Sequence, residues 1–572
     1  MPRIRKVEIK HFRGIQNLNW YPAPGINCLI GPGDSGKSTI LDAIDLCLSV
    51  RRNIQFTDAD FYQMNIEKPI DISVTLGELD DSLKVLEDYG LYVRGFNSQS
   101  GEIEDEPEKD AETVLTVRLT VSSDLEPSWS LVSERATTQG FDRDLSWKDR
   151  VRLAPTRIGV MANYHLGWQR GSVLNSVSEE RPDASAALVK AARDARAAFA
   201  EDARNQLGET LDIVATTGKE LGIAIGNNIK AMLDAQSVSF NGGTISLHDE
   251  HGIPLRGLGV GSTRLLVAGL QRKAAVQSTV ILIDELEYGL EPHRIIRLLG
   301  SLGAKEKDLP LQVFMTTHSP VVLQELNGDQ LFVTRANDDF HVIQVVGNEN
   351  DIQGTIRSYP FAFLALSVII CEGASEVGFV RGLDLFRTSN GCKSISAKGV
   401  ALVNSDGGEA DRPFARASAF CTLGYRTAII RDDDKKPTAE VEAEYIARGG
   451  TVIAWRDGRA LEDELFLSSS VDAVNKLIDR AIDLHGKEKI DEHIKSVSQN
   501  KFNLDTIRTG IDEESRIVLS NAAKTKKNSW FKTITWFEDI SREIVGPDLA
   551  NTDPGFRALV RNIFSWVNNV GE

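Results

Sequence analysis

The sequence predicts an α/β chain built as two successive units. The first is a large mixed sheet with an antiparallel arm and a helical insertion; the second is a smaller parallel sheet of Rossmann-like pattern. Three observations predict this. A glycine-rich loop, residues 31–38, stands between an apolar strand and a segment with apolar residues at helical spacing. An unbroken apolar strand from Val280 to Ile283 ends in the acidic pair Asp284 and Glu285, and strands apolar on both faces suit a parallel sheet covered on both sides. Beyond residue 366, strand and helix alternate and acidic residues recur at strand ends.

A chain of 572 residues is too long for one ordinary core, so two to four domains are expected. Hydrophobic residues at 41% and charged residues at 26% describe a soluble globular protein. No apolar run approaches the ~18–20 residues of a membrane span, and the basic start MPRIRKVEIKHFRG lacks the apolar run of a secretion signal. A cytoplasmic, membrane-free protein is expected. Cys28, Cys47, Cys371, Cys392 and Cys421 have no metal-ligand spacing and are expected as reduced thiols. A formal charge of −17 argues against a general polycation but leaves room for local basic patches or cations that hold phosphates.

Taken in order, the first element is INCLIGPGDSGKSTILDAIDLCLSV. It contains G-x-x-x-x-G-K-S from Gly31 to Ser38, after the strand Ile26 to Ile30 and before Ile40, Leu41, Ile44 and Leu48 at helical spacing. In a loop of this kind successive backbone N–H groups and a helix N-terminus wrap phosphates. Gly31, Gly33, Asp34, Ser35, Gly36, Lys37, Ser38 and Thr39 are the candidate ATP-binding residues, with Lys37 on the terminal phosphates and Ser38 on Mg²⁺. Downstream, STVILIDELEYGLEPHR supplies Asp284 as a Mg²⁺ residue and Glu285 to orient the attacking water. LQVFMTTHSP, one strand later, offers His318 as the group sensing the γ-phosphate.

About twenty residues before the acidic strand, LRGLGVGSTRLLVAGLQRK places Gly259, Gly261 and Ser262 at a helix start. LGVGS resembles the signature motif of ABC-type ATPases, and GLEPH, from Gly289 to His293, resembles their dimer-contacting loop. The resemblance implies two subunits joined head to head, with the signature of each closing over ATP held by the other. IRKVEIKHFRGI resembles the opening strand of the structural-maintenance and recombination branch, which implies that Arg13 approaches the nucleotide. Up to residue 165 the strand-like runs DISVTL, TVLTVRLTVSS and SWSLVS fit the antiparallel arm of such ATPases. An Ala-rich stretch with Leu188, Ala192, Ala195 and Phe199 at helical spacing makes residues 166–234 a helical insertion suited to dimerisation. Residues 235–350 return to strands, with an Asn-Gly turn, and complete the ATPase.

Residues 360–572 form the second unit. Glu372 and Glu376 stand at the end of SVIICEGASEVGFV, Asp432, Asp433 and Asp434 follow YRTAII, and Glu462, Asp463 and Glu464 lie in RALEDELF. Ligands sit beyond the carboxyl ends of parallel strands. Acids gathered there repel one another unless cations intervene, and hard oxygen ligands suit Mg²⁺ or Mn²⁺. E-G-x-x-E followed sixty residues later by D-x-D resembles the Toprim domain. An ABC-type ATPase followed by Toprim is the architecture of the OLD (overcoming lysogenisation defect) family of nucleases. That resemblance implies metal-dependent DNA cleavage with two cations: Glu372, Asp432 and Asp434 on one, Glu376 and Glu462 on the other. It also implies a lysine that stabilises transition-state charge. Lys532 is preferred to Lys524, Lys526 and Lys527 because it follows the Trp530–Phe531 anchor; Lys524–Lys527 would contact DNA phosphates.

The expected function is thus an ATP-regulated DNA endonuclease serving anti-phage defence, working as a dimer or dimer of dimers, alone or with a helicase-like or reverse-transcriptase partner. A non-nucleolytic ATPase clamp on DNA is the alternative. Topoisomerase chemistry would need a tyrosine in a separate domain, and primases usually add a zinc domain that the chain's Cys and His residues do not offer.

Overall fold

The computed structural model describes residues 2–50, 54–84, 89–107, 111–159, 162–166, 172–174, 247–273, 280–337, 340–456, 458–525 and 529–569, with residue 231 and a few positions from 190 to 213. Most of the expected helical insertion, the Asn-Gly turn, Lys526 and Lys527 lie outside the described residues. Residues 205–213 within the insertion are helical.

The first unit is a mixed sheet, thirteen-stranded among the described residues. Its arm comprises β1 (Arg3–Phe12), β2 (Ile15–Trp20), β4 (Ile70–Gly77), β5 (Arg94–Phe96), β6 (Ile103–Glu104), β7 (Glu112–Val121) and β8 (Pro127–Leu131). Its other half comprises β3 (Ile26–Ile30), β9 (Thr156–Arg157), β10 (Val280–Ile283), β11 (Gln312–Thr316), β12 (Leu331–Ala336) and β13 (His341–Val345). The order is β6-β5-β7-β4-β1-β2-β13-β12-β3-β11-β10-β9, with β8 on β7. In the arm, β1 pairs antiparallel with β2 and β4, and Ile4, Val7, Ile9 and Phe12 point into the core while the residues between face outward. β3, β10 and β11 are buried at every position and pair in parallel, as their unbroken apolar runs require.

Two glycines are demanded by this geometry. Gly31 follows β3 with φ 144°, and any Cβ there would collide with the Thr334 carbonyl of β12. Gly36 has φ 81° and caps the helix Lys37–Leu48, which packs Ile40, Leu41, Ile44 and Cys47 against the arm.

The second unit is a four-stranded, fully parallel sheet in the order β15-β14-β16-β17: β14 (Ser367–Cys371), β15 (Val400–Asn404), β16 (Arg426–Arg431) and β17 (Thr451–Ala454). A helical C-terminal region follows, from Leu461–Ser468 to Pro554–Asn568. Phe379 meets Trp455 edge to face at 5.4 Å, and Phe556 packs on both.

Two short helices, Asn350–Ser358 and Pro360–Leu364, occupy the expected junction. The apolar core does not stop there. It runs continuously from Ile26, Cys28 and Met315 through Phe363 to Val368, Phe414 and Tyr425. At the seam the Arg335 guanidinium of β12 lies 4.0 Å from the centre of the Tyr425 ring, and the Tyr425 hydroxyl donates to the Phe363 carbonyl at 2.6 Å. Among the described residues no helix is long and apolar enough to cross a membrane.

Candidate functional site

Two sites emerge, one at the carboxyl ends of β3, β10 and β11, the other at the carboxyl ends of β14 and β16.

At the first, Ser35 and Lys37 are buried, whereas Gly33, Asp34 and Ser38 are exposed. The Lys37 ammonium folds back over the loop and donates to the carbonyls of Gly31 (3.1 Å) and Pro32 (2.6 Å) and to the Ser35 hydroxyl (3.2 Å). Burial lowers the Lys37 pKa, and Asp34 and Asp284 oppose the shift. Ser38 Oγ donates to Asp284 Oδ1 at 3.0 Å, and Thr316 Oγ1 donates to the same oxygen at 2.6 Å. A hydroxyl and a carboxylate on neighbouring strand ends, beside a helix N-terminus whose first N–H groups lack intrahelical acceptors, fit a phosphate chain carrying a divalent cation. Thr39 sits half-buried in the first helical turn.

Glu285 is exposed and has φ 46°, a conformation held from two sides. The Glu285 N–H donates to Thr316 Oγ1 at 2.8 Å. Arg264, fully buried, donates to the carbonyls of Asp284 (3.1 Å), Glu285 (3.0 Å) and Tyr288 (2.8 Å). His318 lies on the exposed segment after β11, its N–H donating to Glu287.

The helix that begins the signature starts at Val260, so Gly261 and Ser262 lie in its first turn. A Cβ on Gly261 would strike the Gly289 carbonyl, so this glycine lets the GLEPH loop close on the signature of the same chain. Gly259 is exposed, and Ser262 Oγ accepts a bond from Arg294 at 3.0 Å. Arg13 makes a fork with two carboxylates, Asp42 at 2.5 Å and Asp60 at 3.0 Å. Asp42 lies one turn beyond Ser38, and Arg157 reaches its other oxygen at 2.6 Å. Arg13 thus buttresses the phosphate-loop helix through Asp42 in this structure.

At the second site, Glu372 follows β14 and Asp432 follows β16. These strands are direct neighbours in the register Cys371↔Ile430, which carries the two acids to one edge. Glu372 Oε2 accepts the Asp432 N–H at 2.9 Å. Glu376, in the first turn of the helix Ala374–Ser389, is buried and accepts the Gly373 N–H at 2.8 Å. Asp432 Oδ1 accepts the Leu461 N–H at 3.0 Å, so the helix carrying Glu462 begins on this cluster.

Burial raises all four acids, and repulsion from the others adds to it at Glu376 and Asp432. Glu376 is pushed up to about 8, by burial first and then by Glu462 and Glu372. Asp432 is raised well above the carboxylate range by burial and by Glu376, Glu462 and Glu372. Glu462 is raised by burial, with Lys524 and Lys532 pulling it back; Glu372 is raised by burial and by Asp434. Among the described residues no group of three or more His, Cys, Asp or Glu side chains is drawn together as around a metal ion. The oxygen-only donor set and its repulsion nevertheless fit a hard divalent cation.

Three consecutive acids cannot share one direction on either chain segment. Asp434 is exposed, while Asp433 turns inward to Arg431 (3.0 Å) and the Gly458 N–H (2.9 Å). Along the helix Leu461–Ser468, Glu462 faces the cluster. Asp463 instead binds Lys524 (2.6 and 2.8 Å) and Ser520, and Glu464, with no exposed surface, pairs with Arg456 (2.6 and 2.8 Å). Burial would raise Asp463, but its bonds from Lys524 and Ser520 outweigh that and hold it below the usual range. Lys532 is exposed and acts on Glu462 only through its charge. Sequence reading missed Arg264, Glu287, Thr316 and the Asp463–Lys524 pair. Their signals were present in S-T-R after the signature, T-T-H after β11 and three acids in one helical turn.

Compared with known proteins, a stretch of 58 residues is 34% identical to the DNA replication and repair protein RecF of Chlorobium limicola; it spans 10% of this chain and 16% of that protein's length. Among solved structures, an Smc head bound to the C-winged helix domain of ScpA gives a TM-score of 0.31 at 14% identity, covering 60% of this chain and 98% of that one. The Smc head domain with an extended coiled coil, bound to a C-terminal domain of ScpA derived from Pyrococcus furiosus, gives 0.33 at 12%, with 60% and 96% covered. The SMC head domain from Thermotoga maritima gives 0.28 at 15%, with 60% and 99% covered. Residues 26–324, more than half of the chain and the whole span from the phosphate loop to His318, match the family described as AAA domain, putative AbiEii toxin, Type IV TA system, and the chain belongs to that family of ATPase domains.

Proposed function

We propose that this protein is an ATP-hydrolysing, divalent-metal-dependent DNA endonuclease of OLD type, in which the AAA domain gates a Toprim site built on the second sheet. The observation that carries the reading is that Glu372 and Asp432 are bonded together at the carboxyl edge of the β14–β16 pair, with the helices that carry Glu376 and Glu462 starting beside them, so that Glu462 and Glu372 raise Glu376 and all three raise Asp432. A stable fold gains nothing from four neighbouring acids, two buried and two half-buried; a cation site does.

In this reading Lys37, Ser38 and Asp284 hold ATP and its Mg²⁺, Glu285 orients water and His318 senses the terminal phosphate. Glu372, Glu376, Asp432 and Glu462 hold Mg²⁺ or Mn²⁺, with exposed Asp434 swinging in. Bound divalent ions supply Lewis acidity toward a phosphodiester and a more acidic water. Lys524, held by Asp463, and exposed Lys532 face the phosphate backbone. The short similarity to RecF, whose name ties it to DNA replication and repair, supports DNA as the partner. Head-to-head pairing, cytoplasmic location and a role in anti-phage defence belong to the same reading.

A second reading, an ATPase clamp that does not cut, is favoured by one observation: Glu372 and Asp432 already serve as acceptors for backbone N–H groups, and no metal-type cluster is gathered among the described residues. Plasmid cleavage with Mg²⁺ or Mn²⁺ separates the two. It is run without nucleotide, with ATP and with a non-hydrolysable analogue, on wild type, Lys37→Ala and Asp432→Ala. Metal-dependent nicking that disappears in Asp432→Ala supports the nuclease; nicking retained by Asp432→Ala, or none under any condition, rejects it in favour of the clamp.

A further inference from the structure

Glu287 is two residues past the proposed water-orienting Glu285, yet its side chain turns to another strand. One carboxylate oxygen accepts the Thr317 hydroxyl at 2.6 Å, and the other accepts the His318 backbone N–H at 2.7 Å. Both partners lie some thirty residues along the chain, on the segment leaving β11, and Thr317 is fully buried. Thr316, immediately before them, bonds the Asp284 carboxylate and the Glu285 N–H. Three successive residues, 316 to 318, are therefore keyed to the turn 284–287. Arg264 holds the same turn from the opposite side through three carbonyls. Glu287 is thus fixed at its base, and the two bonds it makes fix the main chain that carries the His318 ring.

We infer that Glu287 is a positioning residue for ATP hydrolysis: it sets where His318 stands relative to Asp284 and Glu285. The inference rests on hydrolysis at this site with His318 as the sensor of the terminal phosphate. A carboxylate suits the task because it accepts from two donors at once. A glutamine of the same shape gives up the charge and one of the two acceptors: its NH₂ turned toward Thr317 reverses that bond, and the hydroxyl, which already accepts the Ser319 N–H, must then accept twice.

The test is a double-mutant cycle of Glu287→Gln and His318→Ala in the full chain, read as steady-state kcat and KM for ATP, with the thermal midpoint as a folding check. Glu287→Gln lowers kcat about 10–100-fold, the cost of a small misplacement of a reacting constellation, and leaves KM within about twofold. In the His318→Ala background the same change costs less than about twofold, because the residue it positions is gone. Effects that multiply in full across the two backgrounds overturn the inference, as does a rise in KM at unchanged kcat. A wild-type kcat in His318→Ala rejects the role of His318 and the inference with it, whereas a defective His318→Ala with a fully active Glu287→Gln rejects the inference alone. If Glu287→Gln fails to fold, Thr317→Val, which removes one of the two bonds, takes its place in the same cycle with a smaller expected loss of kcat.

Discussion

The Glu372 carboxylate accepts the Asp432 backbone N–H at 2.9 Å although sixty residues separate them. The contact brings a second half-buried acid to a place that already disfavours negative charge. Asp432→Asn keeps the shape and the acceptor for Leu461 while removing a charge. The variant is expected to lose the increase in thermal midpoint that Mn²⁺ gives wild type, while its metal-free midpoint stays level or rises. Scanning calorimetry with and without Mn²⁺ reads both.

Glu376 gives the metal-free protein a pH dependence of definite sign. Its carboxyl is raised from 4.5 to about 8 in the fold, through burial and the neighbouring acids. A raised carboxyl contributes stability that is fully present below pH 4.5 and lost as pH rises through 8. In chelator, Glu376→Gln flattens the decline between pH 5 and 8. Each ~1 kcal/mol recovered at pH 8 raises the midpoint by about 2–4 °C on the scale of a 150–250-residue domain. A variant with the wild-type slope would count against the cluster.

Lys37 spends three hydrogen bonds inside its own loop. Phosphates have to compete for it, and Lys37→Ala removes their ligand together with the donor to the Gly31 and Pro32 carbonyls. ATP turnover is expected to fall to background, with the thermal midpoint lowered by no more than the loss of these local bonds. Ser38→Ala, which cuts the bond to Asp284, is expected to raise the Mg²⁺ concentration needed for half-maximal turnover.

Glu464 has no exposed surface and relies on Arg456 for two short bonds. Burial raises its pKa and the Arg456 bonds bring it back down, below the usual range. Arg456→Met leaves a buried charge with weaker support from Arg459 and Ser468. The expected cost is about 3 kcal/mol, read from urea unfolding of the full chain.

The continuous core and the Arg335–Tyr425 stack join the two sheets. Calorimetry of wild type is therefore expected to show one cooperative transition covering both. Arg335→Ala, which forfeits a desolvated cation–π contact of about 2 kcal/mol, is expected to split it.

Local pattern was enough for the phosphate loop, the strands ending at Ile30, Ile283 and Cys371, and the acids that follow them, because these signals are carried by adjacent residues: glycines that permit positive φ, unbroken apolar runs, charges at strand ends. Sequence alone also put Glu462 ahead of its two acidic neighbours through a family resemblance. Tertiary packing decided the rest. It turned Asp433 and Glu464 inward to arginines, left Asp434 and Lys532 in solvent, gave Asp463 to Lys524, and spent Arg13 on Asp42 and Asp60. Neither the direction of one acid among three nor the partner of an arginine is set by neighbours in sequence. Both depend on which distant charges share the same low-dielectric pocket, and strand order and helix placement determine that.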